Sequence, residues 1–509
     1  MERIIGVENC DHLETELCNV SDVYTGDTCC KHCGKVLSNG QAIVPEGGKY
    51  TAADGTVYNP GDEMPETVTT GDRCTYKNYE YRYNETWYNR WSTNESICGW
   101  SVRCVVNVAD PGQILEEING QPITDMTCTF RYCTALTTVP DIPQNVTELY
   151  ETFSYCTSLT SAPVIPDYIT SLRLTFASCT NLVIYDNAPA GTENGDFSKY
   201  KIPDGVTNMV GTFWECNKLT SSPTIPNSVT DMSSTFRNCT SLTSDGMPIL
   251  PDGVNSLQGT FYGCSAISNL DNYIIPSSVT DLGCTFENCT GLTNISGLDI
   301  KCDIYRLEGT FRGCTSLSTL SGFKLPNYGK QLYLDYTFKN CTSLQNFSGF
   351  KLTSNVKEMS QTFYGCTSLT ETPDFSSCTR LDSLYQTFYG CTSLKKANTF
   401  SPSTWSITLN ETFYGCTALN DVSEFVISKY VESLKGTFYG CSSLTGIITI
   451  NSILDDYGEN ENYYKNCFAE VDFEAQNITL TGTSAYLDTL GATGTNYCTE
   501  CNGKCNGTH

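Results

Sequence analysis

The residue types that hold metal ions are gathered at the two ends of this chain. Near the start, Cys10-Asp-His12 precedes the string YTGDTCCKHCGKVL, which sets Cys30 and Cys33 in a C-x-x-C-G knuckle. Three thiolates and an imidazole are enough for a closed tetrahedral zinc, and a closed site leaves no coordination position for water or substrate. The expected zinc is therefore structural. A segment this short has too few apolar residues for a core of its own, and metal binding supplies folding free energy directly. Cys18 and Cys29 stand among these four, so Cys29 is an alternative ligand to Cys30, and a Cys18–Cys29 disulfide or disulfides throughout is the competing reading. At the other end Cys498, Cys501, Cys505 and His509 again offer four soft ligands for zinc near knuckle spacing. The alternative there is a disulfide involving Cys467 or two of the tail cysteines.

The histidines limit catalysis. His12, His32 and His509 are the only three, and all lie in these cysteine clusters. Nothing between them can serve as the imidazole base of a Ser/His/Asp or Cys/His nucleophile. Neither GxGxxG, a P-loop nor GxSxG occurs in a context that gives it meaning. Carboxylate pairs that could act on sugars arise by chance among 56 acidic residues, and solvated surface is the better account of them. The chain is expected not to be an enzyme. A formal charge of -26, from 30 basic against 56 acidic residues, repels phosphate backbones, so nucleic acid is excluded as a partner. No apolar run reaches the length of a membrane span, and the opening residues MERIIGVENCDH lack the apolar core of a secretory signal.

Between the ends lies a repeat. The anchor TFxxC recurs at Phe130, Phe153, Phe176, Phe213, Phe236, Phe261, Phe286, Phe311, Phe338, Phe363, Phe388, Phe413 and Phe438, usually 23 to 27 residues apart. A leucine or methionine stands four residues before each phenylalanine, a cysteine three after it, and leucine (once Ile267) three after the cysteine. Tyr464 and Cys467 read as a degraded fourteenth copy. Intervals of four, three and four suggest one face of a helix. Each copy continues, however, into segments such as LTSAPVIPDYIT, where proline and β-branched residues favour turns and extended chain. The expectation is a short helical turn at TFxxC, with the threonine hydroxyl capping free N–H groups, followed by a short strand. One such coil cannot bury its apolar side alone, whereas stacked coils can. The thirteen anchor cysteines are then buried, reduced thiols packed in a ladder, since pairing would leave one unmatched.

With those anchors the sequence resembles the BspA-type leucine-rich repeats, and the resemblance covers about residues 121 to 450. It implies a repeat solenoid of short strands and helical turns, and a role like that of the family's surface adhesins and receptor-type binders in anaerobic bacteria and some protists. The N-terminal string resembles a small zinc-ribbon repeat of clostridial surface proteins, with Cys10, His12, Cys30 and Cys33 at the matching positions. The stretch GDRCTYKNYEYRYNETWYNRW to EEINGQPITDM is similar to a module preceding such repeats in gut clostridia and their phages. The implied order is a zinc-ribbon-like module at 1–46, a linker at 47–72 and an aromatic-rich β module capping the array at 73–120. The solenoid follows at 121–470, and a cap with the Cys-rich tail at 471–509.

Two surfaces are candidates for a partner. Between the third and fourth anchors the spacing grows to 37 residues, inserting YDNAPAGTENGDFSKY. Insertions in solenoids collect on one face, so Tyr185, Asp186, Glu193, Asp196 and Tyr200 are candidate contacts, in a loop outside the repeated core positions that is dispensable for folding. The bland alternative is a tolerated surface loop. The aromatic run Tyr76, Tyr79, Tyr81, Tyr83, Trp87, Tyr88 and Trp91 could stack on a ligand, but its alternation fits a small β core better. The expected function is non-catalytic binding of a protein or glycan on a cell or particle surface. A phage fibre or decoration protein among other virion proteins is the alternative, and a carbohydrate-active enzyme the least supported.

Overall fold

The computed structural model describes residues 43–65, 67–84, 99–186, 188–301, 304–327, 330–400, 407–451, 466–472 and 475–481, with the backbone of 497–498 and 503–504. The chain divides into two compact units, Met1–Val229 and Thr230–His509.

The first unit opens with a seven-stranded sheet: β1 (Gly48–Thr51), β2 (Val57–Tyr58), β3 (Arg73–Tyr76), β4 (Tyr79–Tyr83), β5 (Trp100–Cys104), β6 (Glu117–Ile118) and β7 (Gln121–Asp125). Its order is β2-β1-β3-β4-β5-β7-β6, antiparallel except for β5 beside β7. Alternation along β4 buries Tyr79 and Tyr81, which pack with Tyr50, Tyr76, Trp100 and Val102 in the sheet's core. Residues 47–72, expected to be a linker, instead contribute β1 and β2. Their apolar residues are sparse, so the pairing of Tyr50 with Cys74 and the burial of that ring carry no local signal. Of the aromatic run, Trp87, Tyr88 and Trp91 lie outside the described residues.

Both units then carry solenoids of stacked coils. The first holds the anchors Phe130, Phe153, Phe176 and Phe213, and its coils pair in parallel through β8 (Ser161–Ala162) and β9 (Ile184–Tyr185). In the second unit the parallel pairs are β10 (Ile274–Ile275) with β11 (Asp299–Ile300), β12 (Leu332–Tyr333) with β13 (Val356–Glu358), β14 (Ile407–Thr408) with β15 (Val431–Ser433), and β16 (Gly446–Thr449) with β17 (Ile478–Thr481). Single bridges extend two such rows, one five residues before each anchor phenylalanine, as at Ser383 and Thr408, and one eight after it, as at Lys396 and Asp421.

No helix occurs among the described residues, so the helical turn expected at TFxxC is corrected to a run of linked turns. In the Phe153 coil the N–H groups of Thr152, Ser154 and Cys156 bond the carbonyls of Leu149, Glu151 and Phe153, three residues back. Those of Leu149, Glu151, Phe153 and Tyr155 cross instead to Ser171, Arg173, Thr175 and Ala177 of the next coil. The cause is a left-handed residue two before and two after the phenylalanine, here Glu151 (φ 51°) and Tyr155 (φ 62°). Right- and left-handed residues in alternation turn successive N–H groups inward and outward, which a helix cannot do. The cost of the left-handed residues falls on Gly or Asn in many copies.

Each anchor residue satisfies a stacking contact. The phenylalanine rings lie face to face at 5.4–5.9 Å within each unit. The threonine hydroxyl does not cap an N–H. It donates to the carbonyl of the leucine or methionine four residues before the preceding phenylalanine, as Thr152 does to Met126 at 3.0 Å and Thr412 to Leu384 at 2.9 Å. Carbonyls, with two lone pairs, are what this buried backbone leaves under-used. Eleven ladder cysteines likewise donate to the preceding coil's phenylalanine carbonyl at 3.0–3.3 Å. The thiols are thus buried, free and hydrogen-bonded.

The fourteenth copy is shifted from its expected register. Tyr464 lies outside the described residues; Phe468 stacks on Phe438 at 5.3 Å, and its flanking residues Asn466 and Glu470 are left-handed. Phe438 N–H bonds the Cys467 carbonyl as it would that of an anchor threonine. Cys467-Phe468 therefore replaces Thr-Phe, and Val471 stands where the cysteine would be.

Candidate partner-binding surface

The predicted zinc ligands Cys10, His12, Cys30 and Cys33 lie outside the described residues, as do Cys501, Cys505 and His509. Cys498 is described as backbone only, in a two-stranded pair of Tyr497–Cys498 with Gly503–Lys504. Among the described residues no group of three or more His, Cys, Asp or Glu side chains is placed to hold a metal ion.

The insertion is placed differently from its expectation as a surface loop. Ile184 and Tyr185 pair with Ser161 and Ala162 of the coil before, while Gly195 N–H bonds the Val183 carbonyl and Asp196 bridges to Ser221 of the coil after. The extra chain doubles back and fills an additional layer. Gly195 (φ 88°) permits this, because a side chain there would clash with the Lys218 carbonyl. Tyr185 and Tyr200 are buried, and with Phe197 they form an aromatic cluster whose Phe197 ring packs on the anchor Phe213 at 6.2 Å. These two tyrosines are core residues, and neither ring is available to a partner. Asp196 accepts from Ser221 Oγ at 2.7 Å and from the Ser198 N–H at 2.8 Å, bonds that hold its carboxyl below the ordinary range and fasten the layer. Asp186 and Glu193 alone of the five are exposed.

An outward surface absent from the sequence reading stands in the second unit. The residue after the anchor phenylalanine points away from the core. In four successive coils it is tyrosine: Tyr364, Tyr389, Tyr414 and Tyr439. Their rings, half-exposed, stack at 4.7, 4.6 and 4.3 Å with planes within 4° of parallel. The residue after each tyrosine is Gly365, Gly390, Gly415 and Gly440, left-handed at φ 69–70°, so one flank of the row carries no side chains. The row is closed at both ends. Lys339 Nζ lies 4.3 Å from the Tyr364 ring centre, and Tyr439 donates its hydroxyl to Glu470 at 2.7 Å. That bond to a carboxylate raises the Tyr439 phenol well above its usual range. The available signal was the repeated string TFYGC, which returns the same outward residue at each period.

A cleft of about 530 Å³ also opens in the second unit, lined by Asp299, Lys301, Lys324 and Asn327 among others. Asp299 and Lys301 are ion-paired at 2.6 Å on its wall.

Comparison with known proteins agrees with this geometry. The pattern described as BspA type leucine rich repeat region, in six copies, matches residues 123–193, 209–321, 258–395, 298–420 and 383–500, more than half of the chain. The chain belongs to the BspA-type leucine-rich-repeat family. Solved structures similar to it include a leucine rich cell surface protein of Faecalibacterium prausnitzii, 20% identical over 74% of this chain and 98% of that one, with a TM-score of 0.43. A leucine-rich repeat protein of Bacteroides ovatus is 22% identical over 68% of this chain and 81% of its own, with a TM-score of 0.37. The pneumococcal vaccine antigen PcpA is 12% identical over 79% and 99%, also at 0.37. No protein of curated function matches the chain. No helix among the described residues is long and apolar enough to cross a membrane.

Proposed function

We propose that this BspA-type chain is a non-catalytic binding protein, presented outside a cell, that holds a protein partner along the Tyr364–Tyr439 row. The observation that carries the reading is the row itself: four half-exposed tyrosines in register beside a glycine flank. Tyrosine offers large contact area at little conformational cost and is enriched where binding energy concentrates. A protein fits better than a glycan. A sugar ring stacks on an open aromatic face, and here each inner face is occupied by its neighbour, with Lys339 over the outer face of Tyr364. Edges and hydroxyls remain, which suit backbone acceptors and apolar side chains. Display on a virion, as fibre or decoration protein, is the other form the same role could take.

The test replaces Tyr389 with a photo-crosslinking phenylalanine analogue and, as a control, the exposed Lys351. The labelled protein is irradiated in its native setting. Peptide adducts from position 389 and none from 351 support the reading. Glycan adducts, or equal yields from both positions, refute it. We further propose a structural zinc on Cys10, His12, Cys30 and Cys33, and a second on Cys498, Cys501, Cys505 and His509. Elemental analysis should find one to two zinc ions per chain, and chelation should leave the circular dichroism of the solenoids intact.

A further inference from the structure

The junction of the sheet with the first coil brings two thiols together. β5 and the residues after it stand in for a preceding coil: Thr129 Oγ1 donates to the Val102 carbonyl at 2.9 Å, as the later anchor threonines Thr152, Thr175 and Thr212 of this unit do to a leucine or methionine. Four residues on, Val106 takes the place of the anchor phenylalanine, and its carbonyl is the acceptor offered to Cys133. That acceptor is contested. Cys104 Sγ lies 3.2 Å from the Val106 oxygen, and Cys133 Sγ is displaced to 3.8 Å, against 3.0–3.3 Å for the eleven ladder thiols. Two sulfurs therefore converge on one oxygen, both within 3.8 Å of it. Both residues are 7% exposed, whereas Cys156 and every later anchor cysteine through Cys441 are at 0%.

The electrostatics agree with the geometry. The two thiols set each other's charge: the neighbouring Cys133 draws the Cys104 thiol below its usual range and is itself held protonated well above it, while burial holds ladder thiols such as Cys289 and Cys366 up at about 12. A thiolate is the attacking species in disulfide exchange.

We propose that Cys104 and Cys133 are a thiol–disulfide exchange site, which takes a small-molecule disulfide as its oxidant and closes into a bond stapling the cap sheet to the first coil. Cys104 thiolate attacks one sulfur of the small disulfide, forming a mixed disulfide and releasing one small thiolate. Cys133 then gives its proton to solvent and attacks the Cys104 sulfur, expelling the second. Two protein thiols lose two electrons in total, and one small disulfide becomes two small thiols. The ladder has no part in this, since its sulfurs are fully covered and committed to carbonyls.

The experiment uses the full chain, incubated natively with oxidised glutathione, then denatured, alkylated, digested and mapped by mass spectrometry. A Cys104–Cys133 cross-link with Cys156 through Cys441 alkylated is the expected result. In Cys133→Ser the reaction should stop at a glutathione adduct on Cys104, and the wild-type map decides should that variant fail to fold. Alkylation of both Cys104 and Cys133 after exposure, or a cross-link of either to Cys128 or a ladder cysteine, overturns the proposal.

Discussion

Replacing Phe311 by alanine should open the solenoid locally and leave distant coils closed. The ring is fully buried, stacks on Phe286 at 5.7 Å and Phe338 at 5.5 Å, and meets Phe323 edge-on at 5.8 Å. Truncating a buried phenylalanine costs about 3–5 kcal/mol, and aromatic pairs add about 0.5–1.5 kcal/mol each beyond burial. Three such pairs put this site at the upper end, about 5 kcal/mol. At about 1.4 kcal/mol per factor of ten, the population of the opened coil rises by roughly three and a half orders of magnitude. The ladder thiols report it directly. Cys314 is fully covered and held well above the usual thiol range by burial, so a thiol reagent reaches it only when its coil opens. Labelling of Cys289, Cys314 and Cys341 should accelerate by about three thousand-fold, because coils contact only their neighbours. Labelling of Cys441, five coils on, should not change. Acceleration under tenfold at Cys314, or equal acceleration at Cys441, would refute the stacking account.

Deleting residues 185–200 should impair folding, because it removes Tyr185, Phe197 and Tyr200 from the core. Trimming only 189–193 should be tolerated, and soluble yield with thermal melting separates the two. Gly390→Val should cost about 1–2 kcal/mol or more and Gly390→Asn less. A side chain there meets nothing within 4 Å, so the penalty is the left-handed φ of 69° alone, measured by denaturant melts. Stability should fall above about pH 9. The folded thiols of Cys289 and Cys366 titrate near 12 against 9.0 when unfolded, so the native state keeps protons that the unfolded chain releases. That contribution is whole below 9 and is lost as pH rises toward 12. Unfolding midpoints that stay flat from pH 8 to 11 would contradict it.

The repeat was legible because a fixed period places each residue above its own counterpart. Phenylalanine, leucine and cysteine at constant offsets can only form ladders if the coils stack, and the buried, free thiols follow from the same regularity. The helical reading of TFxxC failed on a local ambiguity: spacings of four, three and four suit a helix and a chain of turns equally. The left-handed positions decide between them, and the Gly and Asn at the second residue after Phe236, Phe261 and Phe286 were the unused signal. The shift of the fourteenth anchor to Phe468 has a similar cause, since the threonine slot there holds Cys467 and only the stack on Phe438 sets the register.

Sequence alone therefore determined the stacking of the coils and their inward residues, because periodicity carries long-range contacts into local pattern; TFYGC also carried the outward tyrosine row, but which way that residue points was decided only by the turns of the folded coil. It could not determine what has no periodic template. Tyr185 and Tyr200 turn inward because the doubled-back chain needs a filled layer above Phe213's coil, a fact of packing and not of spacing. Gly48–Thr51 becomes a strand because β3 offers it an edge. Cys104 meets Cys133 because a pleated strand is made to serve as the coil before the first coil, and its three-dimensional path, not its sequence, brings the second sulfur to the Val106 carbonyl.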